Sequence, residues 1–290
     1  MSNAPLAKPG FRRKIIAASF LLPHMLGVLY FFLLPMVQVL LRSFQSAVGG
    51  RWVGLQNYRT VFQNTAFALA ASNTARFIAV CVPILVGLSL ILTVAVQSLP
   101  LVGKTIRSAF LLPMAIPAAS VVLVWKALFH DNGLVNHALL DTGMGTIPWM
   151  DSGAAFWMLV LSYLWKNLGY TMVLWAAGLS AIPKSCYEAA QVDGASSWQI
   201  FFQITLPNLR GTGYIIVVLS VLNSFKVFRE AWLVAGDYPD ESMYLMQHLY
   251  NNWFRELDFD KIAAASVICS AVIFLLIGLL RRAWDKEDGE

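Results

Sequence analysis

Gly103-Lys104-Thr105 has the residue types of a phosphate-binding turn, in which backbone N–H groups and one lysine converge on an anion. The full pattern needs another glycine at position 98, where this chain has Ser98, and a strand–loop–helix unit around it. The tripeptide instead lies in a short link between two apolar runs, so its basic residues hold a turn and the chain is not expected to bind ATP itself. Catalytic groups are equally scarce. His24, His130, His137 and His248 are scattered without a paired spacing, and no Gly-x-Ser-x-Gly elbow occurs. Cys81, Cys186 and Cys269 lie far apart, two of them inside apolar runs, which supports neither a disulfide frame nor a metal site. The expectation is a chain with no catalytic residue, no metal and no cofactor of its own.

Polar groups inside apolar runs are the second candidate set. Lys166-Asn167 falls near the middle of one run and Asn223-Ser224 near the middle of another. A charge at mid-bilayer costs roughly 2.5–3.5 kcal/mol, so Lys166 is expected to face protein or water rather than lipid. Trp165, Tyr170 and Phe225 beside these groups offer flat apolar surfaces, and Lys226 follows nearer the end of its run. Two readings stand: the polar pairs line one cavity, or they hydrogen-bond helix to helix or to a partner subunit. Acidic residues lie almost wholly outside the runs, against a proton-coupled carrier, which needs carboxylates at membrane depth. Internal repeats, frequent in secondary carriers, are not apparent.

The elements that must position these groups follow from composition. Of 290 residues, 58% are hydrophobic and 13% charged, with a mean hydropathy of +0.63, outside the range of soluble domains. The net charge of +5 comes from basic residues that flank apolar runs rather than cluster, so the expected partner is membrane lipid and not nucleic acid. Six runs reach the ~20 mainly apolar residues of a spanning helix: about 14–41, 73–99, 107–129, 154–181, 210–235 and 262–281. The fold class expected is an all-α integral membrane protein of six transmembrane helices, one domain over 14–282 with tails at 1–13 and 283–290. The first run follows Arg12-Arg13-Lys14 but is too long for a signal peptide and lacks a small-x-small cleavage site, so it reads as a retained anchor. Pro23, Pro35, Pro83, Pro113 and Pro117 lie within runs, where kinks are expected rather than breaks. With the N-terminus inside, Lys8, Arg12, Arg13, Lys14, Lys104, Arg107, Lys184, Arg210, Arg281, Arg282 and Lys286 face the cytoplasm, against Arg42, Arg51, Arg59, Arg255 and Lys261 outside. That asymmetry predicts a multi-pass protein with both termini cytoplasmic.

It also puts residues 183–207 in the cytoplasm. This stretch is too polar to be a span, and its punctuation predicts two short helices and a bend. Pro183 suits a first helical position, Gly194 a stop at positive φ, and Ser196 or Ser197 an N-cap for a second helix through Ile204, which Pro207 bars from running on. Within it, Glu188-Ala189-Ala190, Gly194 and Ile204-x-Leu206-Pro207 at their spacing resemble the EAA loop of ABC importer permeases. Asp193-Gly194-Ala195 and Phe201-x-x-Ile204-Thr205-Leu206-Pro207 resemble the version in sugar permeases of the maltose/multiple-sugar type. So do Gly54-Leu55-Gln56-Asn57-Tyr58, Asn73-Thr74, Arg107-x-x-Phe110-x-x-Pro113, Pro117, Trp125 and Gly133-x-x-Asn136, in that order, over roughly 14–282. The chain departs at 235–242, where many relatives carry Thr-x-Gly-Gly-Pro.

The resemblance implies a type I importer permease fold and four further parts. These are a second related permease, two ATPase subunits that bind ATP and Mg, and an extracytoplasmic sugar-binding protein. It implies that Tyr187, Glu188, Ala189, Ala190, Asp193, Gly194, Ala195 and Pro207 form a coupling helix that docks on the ATPase. It further implies import of a sugar or oligosaccharide along a path whose candidate residues are Trp165, Lys166, Asn167, Tyr170, Asn223, Ser224, Phe225 and Lys226. Glycerol-3-phosphate or a polyol is the alternative within the class, which Lys166 and Lys226 leave open, and a secondary carrier is a more distant one. The aromatic and acidic segment 237–260, with Tyr238, Tyr244, Tyr250, Trp253 and Phe254, reads as an interfacial belt or as a receptor contact.

Overall fold

In lipid, backbone N–H and C=O groups must be satisfied inside their own segment, so long apolar runs have the helix as their outlet. The computed structural model describes residues 11–97, 99, 103–149, 152–225, 227, 231 and 241–287. Among these residues regular structure is helical throughout, apart from an isolated bridge between Gln45 and Trp52. The chain divides into two compact units, Met1–Gln63 with Trp253–Val272, and Asn64–Asn252 with Ile273–Glu290.

In the first unit, α1 (Phe11–Val28) passes through a five-residue π turn, Leu29–Leu33, into α2 (Leu34–Arg42). Pro35 sits in the first turn of α2, where its missing N–H is no loss. The apolar stretch Ser19–Arg42 is long enough to span a membrane, and its most apolar window is not buried inside the protein. Past Ser43 the chain folds on itself. Asn57, in α3 (Gln56–Gln63), donates through Nδ2 to the carbonyls of Ser43 at 3.0 Å and Gln45 at 2.8 Å, and Tyr58 and Ser43 hydroxyls meet at 2.7 Å. The rings of Phe44 and Trp52 stack at 5.2 Å. Asn57 and Tyr58 of the sequence motif thus act as local fasteners.

The second unit is built on α4 (Thr65–Gln97) and α8 (Ala154–Ala181), with α5 (Gly103–Ala115) and α12 (Arg210–Ser224) packed on α8. One core joins Phe77, Cys81 and Leu85 of α4 to Phe156, Leu159, Tyr163 and Met172 of α8. A second gathers Trp175, Leu179, Ile182, Leu209 and Ile216. Small residues permit close approach: a Cβ on Gly169 of α8 would lie 1.9 Å from the Phe110 carbonyl oxygen of α5. At one end, Asn73 Nδ2 donates to the Glu241 and Tyr244 carbonyls at 2.6 and 3.1 Å, and Thr74 Oγ1 accepts from Met246 N at 3.0 Å. The Asn73-Thr74 pair therefore pins the turn Glu241–Met243 and the start of α13 (Met246–Arg255) to α4. Trp253 is buried and Phe254 exposed, so this aromatic segment does not present one uniform belt.

The 107–129 run, expected as one kinked span, is broken. α5 ends at Ala115, α6 (Ala118–Phe129) begins after Pro117, and the direction of Ala119–Asp141 differs from that of Thr105–Ala115 by 97°. Pro117 lacks an N–H and disfavours helical geometry at Ile116, which ends the helix there; Pro113 is accommodated inside α5. A short α7 (Leu134–Asp141) follows, and Asn136 ties it to Ile147 and Trp149. The last helix, α14 (Phe259–Glu287), runs on into the stretch expected as a tail. By length and composition three described helices are able to cross a membrane, or five when each of two bent pairs counts once. α8 has 28 residues but carries Ser162, Lys166, Asn167 and Thr171. Ser162 and Thr171 are buried against protein, so they need no apolar solvent.

Candidate functional site

The hairpin between α8 and α12 is built by local capping. Pro183 ends α8 and serves as N-cap of α9 (Lys184–Val192), one position before the first helical place expected for it. At the far end Ala195 N donates to Ala190 O at 2.9 Å and Gly194 N to Gln191 O at 3.1 Å. This is the paired closure that a helix adopts when its C′ residue is left-handed, and Gly194 has φ +75°. Ser196, rather than Ser197, caps α10 (Ser197–Ile200) in a reciprocal pair: its Oγ accepts from Gln199 N while Gln199 Oε1 accepts from Ser196 N at 2.8 Å.

Beyond Ile200 the structure departs from the expected stop. A π turn, Phe201–Thr205, carries the chain into α11 (Leu206–Asn208), with Leu206 N donating to Phe201 O. Pro207 lies inside this continuation, because the widened turn makes room for a ring that cannot donate and would crowd the carbonyl one turn back. The direction then changes by 65° into α12.

The hairpin has two faces. Glu188, Ala189, Asp193 and Gly194 are exposed, with Ala190, Ala195 and Pro207 half-buried. Val192 is 88% exposed, and Trp198 and Phe202, stacked at 5.8 Å, are 72% and 56% exposed. These three apolar residues were missed by sequence reasoning, although the i, i+4 spacing of Trp198 and Phe202 marks one helical face. Tyr187 instead turns inward. It packs on the cluster of Trp175, Leu179 and Leu209, and its hydroxyl lies 3.3 Å from Thr205 Oγ1.

The second candidate set divides. Asn167 and Tyr170 of α8 and Asn223 of α12 line one narrow crevice, joined there by Tyr163, Thr171 and Ser220. Tyr163 donates to the Ser220 carbonyl at 2.8 Å, and Asn167 Nδ2 to the Tyr163 carbonyl at 2.8 Å. The added residues stand three or four positions from the expected ones, the helical spacing that marks a shared face. Lys166 is half-buried and lies off this crevice. Trp165 makes an edge contact with Trp125 of α6 at 5.9 Å. Ser224 is buried and donates to Val221 O in its own helix, and the Phe225 carbonyl accepts from Gln247. Lys226 and most of 228–240 lie outside the described residues. Among the described residues no group of three His, Cys, Asp or Glu is placed to hold a metal ion.

Known proteins resemble this chain over nearly its whole length. The sn-glycerol-3-phosphate transport system permease protein UgpA of Yersinia pseudotuberculosis is 29% identical over 280 residues, covering 94% of each chain. The arabinooligosaccharides transport system permease protein AraP of Halalkalibacterium halodurans is 26% identical over 272 residues, covering 91% of this chain and 86% of the relative. Among solved structures, a bacterial ABC transporter involved in the import of the acidic polysaccharide alginate matches with a TM-score of 0.85 at 21% identity, covering 95% of this chain and 96% of that one. A bacterial alginate ABC transporter in complex with alginate pentasaccharide-bound periplasmic protein matches with a TM-score of 0.82 at 21% identity, covering 93% of each chain. At this identity the likeness establishes the fold, that of an ABC importer permease. Residues 84–286, which hold both the capped hairpin and the α8–α12 crevice, match the model of the binding-protein-dependent transport system inner membrane component, and the chain belongs to that family.

Proposed function

We propose that this chain is the membrane subunit of an ATP-driven importer for a sugar or oligosaccharide, forming half of the translocation path. The carrying observation is the hairpin of residues 184–208, a capped element that exposes Glu188, Ala189, Asp193 and Gly194 between two packed helices. Such an element is stiff enough for a separate ATPase to grip and move. The names of relatives that transport arabinooligosaccharides, alginate or sn-glycerol-3-phosphate support the substrate class. Glycerol-3-phosphate is the second reading, favoured by the relative at 29% identity and by the cation of Lys166 on α8.

In this reading the chain makes six spans with both termini and the hairpin in the cytoplasm, in a bacterial inner membrane. A second related permease completes the path, two ATPase subunits bind ATP and Mg, and a sugar-binding receptor delivers solute outside. The receptor docks, ATP closes the ATPase pair, and the hairpins pass that rigid-body motion to the spans. Alone in liposomes the chain neither hydrolyses ATP nor accumulates solute.

The test uses two variants in the assembled complex. A non-glycine residue at the left-handed Gly194 costs about 1–2 kcal/mol in its bend. Gly194→Asp is therefore expected to leave insertion intact and weaken retention of the ATPase in a pull-down. Glu188→Ala should keep more docking and lower receptor-stimulated hydrolysis. Wild-type docking and hydrolysis in both variants would make the hairpin a passive linker.

A further inference from the structure

We infer that Tyr187 is a positioning residue for coupling, a strut that carries displacement of the hairpin into the α4–α8–α12 block and does not itself contact the ATPase. This rests on the importer reading above. Behind the hairpin lies an open cavity of about 600 Å³, lined from one side by Val94 and Leu179 and from the other by Lys184, Gln191, Phe201 and Thr205. An element that stands off its support across a cavity transmits little motion unless something bridges the gap.

Tyr187 does so through its ring alone. Its ring reaches the cluster of Trp175, Leu179, Ile182, Leu209 and Ile216, and its hydroxyl meets Thr205 Oγ1 at 3.3 Å across the two arms of the hairpin. Thr205 is buried, and the π turn sets its register, its Oγ1 also donating to Ile200 O at 3.4 Å.

The block on which the strut bears is rigid. Trp175 Nε1 donates to Ser89 Oγ at 3.0 Å, joining α8 to α4. α8 and α12 touch so closely that a Cβ on Gly178 would lie 2.6 Å from Thr212 Oγ1. A push on α9 through Tyr187 therefore moves helices that share one core, whereas the same push without the bridge closes the cavity. The exposed residues Glu188 and Val192 are left to face a partner.

The experiment is a set of variants in the full complex: Tyr187→Phe, Thr205→Val, the pair together, and Thr205→Ser. ATPase retention, receptor-stimulated hydrolysis and solute transported per ATP are measured for each. Loss of the Tyr187–Thr205 hydrogen bond, which holds the ring in register against the cluster, should lower transport per ATP by about two- to tenfold in Tyr187→Phe and Thr205→Val, the latter also losing the bond to Ile200 O, with retention unchanged. The pair should be no worse than Thr205→Val alone, and Thr205→Ser should retain coupling. Unchanged transport per ATP, additive losses, or release of the ATPase by Tyr187→Phe would each overturn the strut. If Gly194→Asp and Glu188→Ala are silent, the coupling role of the hairpin falls; if they act and the Tyr187 set is silent, only the strut does.

Discussion

Trp175 on α8 donates its indole N–H to Ser89 Oγ on α4 at 3.0 Å, with 3% and 0% of the two residues exposed. Ser89 Oγ in turn donates to Val86 O at 3.1 Å, so one hydroxyl satisfies two buried groups. The pair lies next to the cluster that receives the hairpin, and it sets the spacing of the two longest helices of its unit.

Ser89→Ala should therefore destabilise the folded protein by leaving the Trp175 N–H without its acceptor. An unsatisfied buried donor costs about 1–3 kcal/mol. Hydrogen bonds between membrane helices average about 0.6 kcal/mol, so the lower end is expected. Thermal unfolding in detergent measures it against Ser180→Ala, which removes an exposed hydroxyl bonded only within its own helix. Equal midpoints for the two variants would contradict the assignment.

Gly169→Ala should separate α5 from α8. Its Cβ would stand 1.9 Å from the Phe110 oxygen and 2.4 Å from the Phe110 carbonyl carbon, both backbone atoms that no rotamer change can move. Gly87→Ala on α4 is the control: nothing lies within 4 Å of its Cβ, and alanine is favoured over glycine in a helix by roughly 0.5–1 kcal/mol. Size-exclusion profiles should show loss of the monodisperse peak for the first variant and its retention for the second.

Within the crevice, Asn167→Leu and Asn223→Leu should each lower transport about tenfold or more at saturating receptor, if these amides meet the solute as it passes. Assembly with the ATPase should be normal. Lys166→Met separates the two substrate readings. Lys166 lies off the crevice, so transport of a neutral sugar should stay near the wild-type rate, and a loss confined to an anionic solute would put that solute's path past Lys166. Transport of neutral and phosphorylated solutes by the same preparations decides between them.

The hairpin was legible because its signals act over a few residues. Gly194 and the Ser196–Gln199 pair each close a helix end by hydrogen bonds to groups within five positions, and Pro183 marks one by lacking an N–H. Its outward aromatic pair was missed because Trp198 and Phe202 read, by composition, as residues that belong inside. The crevice was half legible. Asn167, Tyr170 and Asn223 were marked by polarity at membrane depth, while Tyr163 and Ser220 entered only through the contact of α8 with α12.

By itself the sequence determined that this chain is helical and built for a membrane, since apolar runs leave the backbone no other partner than itself. It determined the two helix ends of the hairpin for the same reason of local satisfaction. The tertiary structure alone decided that Pro117 breaks a run that Pro113 does not, that Lys166 stands apart from Asn167, and that Tyr187 turns in while Glu188 turns out. Those outcomes depend on neighbours distant along the chain, as Ser89 and Trp175 are by 86 positions, and on the cavity and close contacts that such neighbours create.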